Sequence, residues 1–185
     1  MSFVDAIRSS SRIGTASRDV LYVVGASLLF ALLSQVELRL WFTPVPLTLQ
    51  TFGVMLIAAT LGSKRGALAL LAYLGEGALG FPVFAGGMGG VAVFAGPTTG
   101  YLCGFVVAAF FMGLLLERGW NKNFFKSLAA MGLGSFLILS LGALWLSYLV
   151  GFHHALLIGL YPFLVGSALK SVAAALAISP SRFHV

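Results

Sequence analysis

Two ionisable side chains interrupt long apolar stretches of this sequence, and they are the first candidates for chemistry. Lys170 lies in PFLVGSALKSVAAAL, and Glu76 lies in LALLAYLGEGALGF. An ionisable group inside a membrane span costs about 3 kcal/mol and normally faces a cavity or a partner. Lys170 is a compact cation suited to a carboxylate or carbonyl oxygen, and Ser167 shares its helix face at i−3. We expect both to contact a ligand; alternatively, Lys170 snorkels to an interface.

Glu76 and three further polar side chains are also candidates. Three interpretations are open for Glu76: it contacts an N–H group of a ligand, it forms an ion pair with Lys170, or it lies at the headgroup level of a membrane. Gln50 follows Thr48 after the WFTPVP segment, and an amide there could donate to and accept from a ureide or amide ligand. These groups could equally bond another helix, as polar side chains do in membrane bundles. Tyr73 is a candidate contact, with packing as the alternative.

The glycine-rich stretch FAGGMGG offers backbone groups instead of side chains. Glycine lets the backbone approach a ligand where a Cβ would collide. A phosphate loop is disfavoured, because no Lys-Ser or Lys-Thr follows the glycines. The expected ligand contacts in this stretch are Phe84, Gly86, Gly87, Gly89 and Gly90.

The composition indicates that membrane helices position these residues. The 185 residues are 59% hydrophobic and 9% charged, with a mean hydropathy of +1.02, whereas soluble domains carry about 25% charged residues. In lipid, only helices and closed barrels satisfy all backbone polar groups, and the long unbroken apolar runs favour helices. We therefore predict one all-α membrane domain over residues 1–185, with a polar N-terminal segment (1–19), a helical bundle (20–178) and a tail (179–185).

Hydropathy and helix breakers predict six transmembrane helices. They cover residues 20–36, 47–61, 66–79, 98–116, 128–150 and 156–178. Nine of the eleven Lys and Arg residues then fall on one side, with Arg39 alone on the other side and Lys170 inside a span. The positive-inside rule therefore predicts that both termini are cytoplasmic.

Three loops, 37–46, 81–97 and 151–155, lie on the opposite, outer side in this arrangement. The middle one has 17 residues, no charge, five Gly and two Pro. Loops longer than about 12 residues are usually functional or disordered, and a disordered loop would be polar. We expect this loop to fold over the bundle and bury its apolar side chains, which are Phe81, Val83, Phe84, Met88, Val91, Val93 and Phe94.

Several other function classes are disfavoured. The net charge of +6 is spread over short loops, which argues against binding nucleic acid. Ser135 has no nucleophile elbow and lies apart from His153 and His154, so we predict no catalytic residue and no enzyme. Adjacent histidines chelate one ion poorly, and we predict neither a metal nor a cofactor. The single Cys103 forms no internal disulfide, and the polar first 18 residues do not resemble a cleavable signal peptide.

Residues 45–105 closely resemble the signature of the biotin-specific S component of energy-coupling-factor (ECF) transporters, the BioY family. The matching elements, in order, are TLQTFGV, LG…G…YL, G.PVFAGG.GG and GPT.GYL.GF. The last span, PFLVGSALKSVAAAL, resembles the family's last helix, in which an acidic residue lies three positions before a lysine. The lysine carries over to Lys170, whereas the acidic position falls on Ser167, a departure that removes one partner for the biotin ureide.

The resemblance implies a six-helix bundle with a biotin pocket near its outer face, capped by the first two outer loops. It also implies a bacterial cytoplasmic membrane and partners, namely a transmembrane coupling subunit and two ATPases. ATP would be used only by those partners, because this sequence has no ATPase motif. Two alternatives stay open, an S component for another vitamin and a solitary biotin permease.

Overall fold

A computed structural model describes the backbone of residues 3–178 and the side chains of residues 17–178. The predicted tail (179–185) and the side chains of the first 16 residues lie outside this described part. Its elements, in chain order, are α1 (Phe3–Ser34), β1 (Glu37–Leu38), β2 (Leu47–Thr48), α2 (Gln50–Ala78), α3 (Thr99–Glu117), α4 (Phe124–Val150), α5 (Phe152–Gly159) and α6 (Tyr161–Ile178), with short 3-10 turns at Ala85–Gly87, Val91–Ala95 and Trp120–Lys122.

Five helices in the described chain are long and apolar enough to cross a membrane. They are Ser17–Ser34, Gln50–Ala78, Thr99–Glu117, Phe124–Val150 and Tyr161–Ile178. Their outer faces carry exposed large apolar side chains, such as Leu21 and Leu32 on α1. A soluble monomer rarely exposes apolar patches of this extent. The chain is therefore a multi-pass helical membrane protein, as its composition predicts.

The helix α2 folds back on itself at Gly62. The backbone there has φ +76° and ψ −171°, a conformation that glycine adopts readily. The Gln50 amide reaches the Tyr73 hydroxyl at 2.9 Å, although a straight helix would separate these residues by about 35 Å. Two antiparallel arms result, 50–61 and 63–78, and they correspond to two predicted spans. The predicted four-residue loop between those spans is wrong, because Gly62 alone makes the turn.

Glu117, at the end of α3, holds this reversal in place. Its carboxylate accepts hydrogen bonds from Ser63 N–H at 2.7 Å and from Ser63 Oγ at 2.9 and 3.0 Å. The first N–H groups of a helix lack partners and favour negative charge, so Glu117 stabilises the start of the second arm. Gly113 leaves the necessary room, since a Cβ there would collide with the Ser63 backbone.

The last predicted span, 156–178, is divided in the structure. Leu160 has φ −120° and ψ −59° and ends α5. The next helix, α6, begins at Tyr161 with Pro162 in its first turn, where proline is tolerated because its missing N–H is not needed. At eight residues, α5 is only about 12 Å long, too short to cross a bilayer. The spanning helix therefore begins at Tyr161.

At the end of the bundle opposite Gly62, loops and helix ends are hydrogen-bonded to one another. Ser34 Oγ donates to the Val83 carbonyl at 2.5 Å, and Thr43 Oγ1 donates to the Ile158 carbonyl at 2.7 Å. The antiparallel pair of strands β1 and β2 joins the two ends of the first outer loop. These bonds tie the first outer loop to α5 and the middle outer loop to α1.

The middle outer loop (81–97) folds over the bundle only in part. Phe84 is buried, with 2% of its surface exposed. Half-buried members are Val83, Val93 and Phe94. The prediction of burial is wrong for the others, Phe81, Met88 and Val91, which are 57%, 42% and 73% exposed. Burial therefore follows the presence of a receiving site in the bundle and not the apolar character of the side chain.

Candidate functional site

A cavity, here called the inner cavity, lies between α2, α3, α4 and α6 beneath the middle outer loop. Its internal volume is about 60 Å³ in this conformation, smaller than the roughly 300–1,000 Å³ of small-molecule sites, so a ligand of ordinary size would require the lining side chains to move. Its polar lining residues are Thr48, Gln50, Thr51, Thr98, Tyr101, Ser167 and Lys170. Its apolar lining residues are Val45, Pro46, Leu47, Phe84, Ala85, Met88, Val93, Leu102, Phe105, Ile138, Leu139 and Phe163.

Lys170 contributes the one charged side chain among the described residues that line the inner cavity. From α6, its Nζ donates to the Thr48 carbonyl at 2.5 Å and to Thr51 Oγ1 at 3.0 Å. An ammonium has three N–H donors, so these contacts leave one for a ligand. Both acceptors are neutral, and no carboxylate of the described chain lies within ion-pair distance of Lys170. The site can therefore receive an anionic or carbonyl oxygen.

Gln50 is positioned by a short chain of hydrogen bonds. Its Nε2 donates to the Tyr73 hydroxyl at 2.9 Å, and its Oε1 accepts from Thr48 Oγ1 at 3.1 Å. A primary amide has two N–H donors and two acceptor lone pairs, so one of each remains for a ligand. Tyr73 is fully buried and does not line the cavity. Tyr73 therefore positions Gln50, and its side chain does not contact the inner cavity.

Ser167 lies on α6, one turn before Lys170, and lines the same wall. It is buried, and its carbonyl accepts from Ser171 Oγ at 2.8 Å. Ser171 Oγ in turn lies 3.1 Å from Ser135 Oγ on α4. These serines fix α6 against α4 directly below the cavity. Ser135 therefore has a structural partner on α6.

Phe84 anchors the roof of the inner cavity. Its ring packs edge-on against Tyr73 and Phe94, with centroid separations of 5.4 and 5.7 Å. Edge-to-face aromatic pairs at such separations are favourable. Gly77 on α2 makes this position possible, because a Cβ there would overlap the ring. The roof is therefore held by the second arm of α2.

The four predicted loop glycines shape the roof without lining the cavity. Gly86, Gly87 and Gly90 have positive φ angles, of 71°, 69° and 92°, which other residues rarely adopt. The Gly87 N–H donates to Gln35 Oε1 at 3.0 Å, and the Gly90 N–H donates to the Gly77 carbonyl at 2.7 Å. A Cβ on Gly89 would collide with the Phe81 carbonyl. The residues of this loop that line the cavity are instead Phe84, Ala85, Met88 and Val93.

Glu76 is not brought to the inner cavity. Its Oε1 accepts from Ser27 Oγ of α1 at 2.7 Å, and its Oε2 is buried without a hydrogen-bond partner among the described residues. The structure thus separates the two intramembrane charges. Lys170 faces the cavity between α2 and α6, whereas Glu76 faces α1.

A second depression, the outer vestibule, adjoins the inner cavity. The two share Pro46, Met88, Val93 and Thr98 in their walls. The vestibule also contains the ion pair between Arg39 Nε and Glu37 Oε1, at 2.7 Å. Met88 lines both spaces and is 42% exposed, so it lies at the boundary between them.

The sequence does not predict most of the apolar residues that line the inner cavity, nor the position of Arg39 in the outer vestibule. Phe105, Ile138 and Phe163 look like any other apolar residue of a membrane helix. Tyr101 is buried and lines the cavity while its hydroxyl donates to the Gly159 carbonyl at 2.5 Å. The sequence gives no local signal that distinguishes these residues from ordinary packing.

The chemistry of the inner cavity suits binding. It combines one cation, one amide and several hydroxyls with a large apolar wall, which suits a small ligand with an apolar body and a few polar atoms. Among the described residues, no group of three or more His, Cys, Asp and Glu side chains could hold a metal ion. His153 and His154 are exposed, with ring centroids 6.3 Å apart.

Known proteins share both the sequence and the fold. The BioY family model matches residues 7–184. The biotin transporter BioY of Rhizobium etli is 39% identical over 173 residues, which cover 87% of this chain and 91% of that protein. The probable biotin transporter BioY of Pyrococcus horikoshii is 44% identical over 131 residues, covering 71% and 76%.

A solved structure gives the same result. The S-component for biotin from an ECF-type ABC transporter superimposes with a TM-score of 0.81 at 26% identity, covering 93% of this chain and 94% of that chain. Because the family model spans nearly the whole sequence, the resemblance seen in residues 45–105 extends to both ends of the bundle. The chain belongs to the BioY family.

Proposed function

We propose that this protein is the substrate-binding (S) component of a biotin importer and that it captures biotin in the inner cavity. The observation that carries the proposal is Lys170, whose ammonium lies in a cavity wall with a free N–H and without a neutralising carboxylate. The BioY relatives are named biotin transporters, and the solved S-component is one for biotin. The protein is accordingly a transporter subunit and not an enzyme.

The cavity complements the chemistry of biotin. Biotin has a carboxylate, a ureide and an apolar body. Lys170 would bind the carboxylate or the ureide carbonyl, and the free amide groups of Gln50 would bind the ureide. Phe84 and Phe163 would cover the apolar part, since apolar packing supplies most of the affinity and polar groups set the orientation. Ser167, where the family resemblance implies an acidic residue, offers a hydroxyl instead.

We further propose six membrane spans with both termini in the cytoplasm of a bacterium. The reversal at Gly62 supports this arrangement, because each arm of α2 then counts as a separate, short span. The basic residues Lys64 and Arg65 follow the reversal, and Arg118, Lys122 and Lys126 follow α3, so they gather at one end of the bundle. Such an excess of basic residues marks the cytoplasmic side.

Transport would require an ECF module made of a transmembrane coupling subunit and two ATPases. The solved structure of similar fold comes from an ECF-type ABC transporter. In such an assembly this chain would supply capture and specificity, and ATP would be used only by the partners. Biotin uptake by cells that express this chain with and without the module tests the dependence. Full uptake without the module would identify a solitary permease.

Calorimetric titration of the purified chain with biotin, thiamine and riboflavin tests the substrate. We expect tight binding of biotin and no measurable binding of the other two vitamins. Binding of thiamine or riboflavin instead would identify an S component for another vitamin. Absence of biotin binding by protein with an intact thermal unfolding transition would refute the proposal.

A further inference from the structure

A second site is indicated by an apolar groove on the outside of the bundle, between α3 and α4. The groove has a volume of about 340 Å³. Its walls include Phe111 and Leu115 of α3 and Ala130, Leu133 and Phe136 of α4. Phe111, Leu133 and Phe136 are 48%, 51% and 64% exposed, so the bundle itself leaves them uncovered. The groove lies on the outside of the bundle, and its lining residues differ from those of the inner cavity.

Basic side chains continue the groove at its end nearest the α3–α4 connection. Lys126 precedes Ala130 by four residues and Leu133 by seven, so it lies on the helix face that lines the groove. Arg118 follows Leu115 by three residues and Phe111 by seven. One cation from each helix therefore extends the line of apolar wall residues, about one helical turn beyond its end.

These cations are free to bind an external anion. Arg118, Lys126 and the neighbouring Lys122 are exposed, and none of them forms an ion pair with a carboxylate of the described chain. Glu117 is adjacent in sequence, but both of its oxygens accept hydrogen bonds from Ser63. Its charge is directed to the Gly62 reversal and away from the groove.

We propose that the groove binds an anionic phospholipid, with an acyl chain against Leu133 and Phe136 and the phosphate at Arg118 and Lys126. An apolar channel that ends at unpaired cations complements a molecule whose apolar chain ends in a negative headgroup. Basic pockets between membrane helices recognise such headgroups. The site is independent of biotin capture, because it shares no lining residue with the inner cavity.

Native mass spectrometry of the full chain tests the site with phosphatidylglycerol and phosphatidylcholine of identical acyl chains. We expect phosphatidylglycerol to be retained about tenfold more tightly than phosphatidylcholine. The double variant Arg118→Gln/Lys126→Gln reduces that preference to near unity. The control Lys64→Gln removes a cation that does not line the groove from the same end of the bundle and leaves the preference intact; Arg65 is kept because it is paired with Asp19 at 2.7 Å.

A second pair of variants tests the groove itself. Leu133→Trp fills the channel and lowers retention of phosphatidylglycerol several-fold, whereas Leu144→Trp, at a 61% exposed position on the same helix, does not. Equal retention of the two lipids by the unmodified chain overturns the proposal, and it is the outcome expected if the groove instead receives a helix of a partner subunit. Equal losses in both charge variants, or in both tryptophan variants, also overturn it.

Discussion

The surroundings of the two intramembrane charges differ, although the sequence presents both in the same way. Lys170 donates to the Thr48 carbonyl and to Thr51, and it borders the inner cavity. The Glu76 carboxylate accepts a hydrogen bond from Ser27 of α1, and Glu76 is not among the residues that line the inner cavity. Lys170 therefore faces the inner cavity, and Glu76 faces a helix contact.

This difference shows what an intramembrane charge does and does not indicate. Its cost in lipid requires a polar partner or a cavity, and both residues meet that requirement. Which of the two solutions applies depends on the helix packed against it. Ser27 of α1 donates to Glu76, whereas Lys170 donates to the Thr48 carbonyl of β2 and to Thr51 of α2 at the edge of the inner cavity. The following experiments test this contrast.

Replacing Lys170 gives the largest expected effect. Lys170→Met keeps the length of the side chain but removes the donor, and hydrogen bonds to charged groups contribute about 1.5–3 kcal/mol. We expect the biotin dissociation constant, measured by calorimetry, to rise roughly ten- to hundredfold. Lys64→Met, a lysine far from the cavity, serves as the control and leaves it unchanged. Wild-type affinity for biotin in Lys170→Met would show that Lys170 does not contribute to binding biotin.

Gly77→Ala tests the contact between the second arm of α2 and the roof of the inner cavity, because Gly77 leaves room for the Phe84 ring that forms this roof. A Cβ at this position overlaps the ring, and overpacking of this kind costs about 1–3 kcal/mol. We expect a lower thermal midpoint and weaker biotin binding. Gly75→Ala is the matched control, since a Cβ there meets nothing within 4 Å. Indistinguishable behaviour of the two variants would contradict the described roof.

Arg39→Gln is expected to have a smaller and mainly kinetic effect. The substitution leaves Glu37 without its ion-pair partner in the outer vestibule, and charges at the rim of a site mainly change association rates. Stopped-flow measurements of biotin binding should show a few-fold slower association at low salt. The double variant Glu37→Gln/Arg39→Gln removes both charges and restores the rate. A rate unaffected by Arg39→Gln would exclude the vestibule as the route of access.

Glu76→Gln should have the smallest effect on the ligand. Glutamine keeps the carbonyl that accepts from Ser27 and removes only the charge. Because Glu76 does not line the inner cavity, we expect biotin affinity within about twofold of wild type, well below the effect of losing a hydrogen bond to a charged group. A loss as large as that of Lys170→Met would mean that the two charges act on one ligand and would break the contrast.

Much of the fold follows from local sequence signals. Long apolar runs and glycine and proline breakers predict the helical class, and the side-chain pattern of the last helix places Lys170 and Ser167 on one face, which lines the inner cavity in the structure. The predicted span 98–116 begins one residue before α3, and the predicted span 128–150 begins four residues after the start of α4. These features depend on residues close together in the chain.

Other features depend on contacts between distant residues and could not be predicted. The one-residue turn at Gly62 is stabilised by Glu117, 54 positions from Ser63. Tyr73 supports Gln50 instead of a ligand because the two arms of α2 are antiparallel. Phe84 is buried while Val91 is exposed, because only Phe84 meets a glycine that leaves room for it.

The central claim, that biotin occupies the space beside Lys170 beneath the middle outer loop, is most directly tested by site-specific protection. Met88 lies between the outer vestibule and the inner cavity, and Cys103 is the single native cysteine. In a Cys103→Ser background, biotin should slow maleimide labelling of Met88→Cys but not of Val91→Cys, whose native side chain is 73% exposed. Unchanged labelling of Met88→Cys, in protein that binds biotin by calorimetry, would contradict the account.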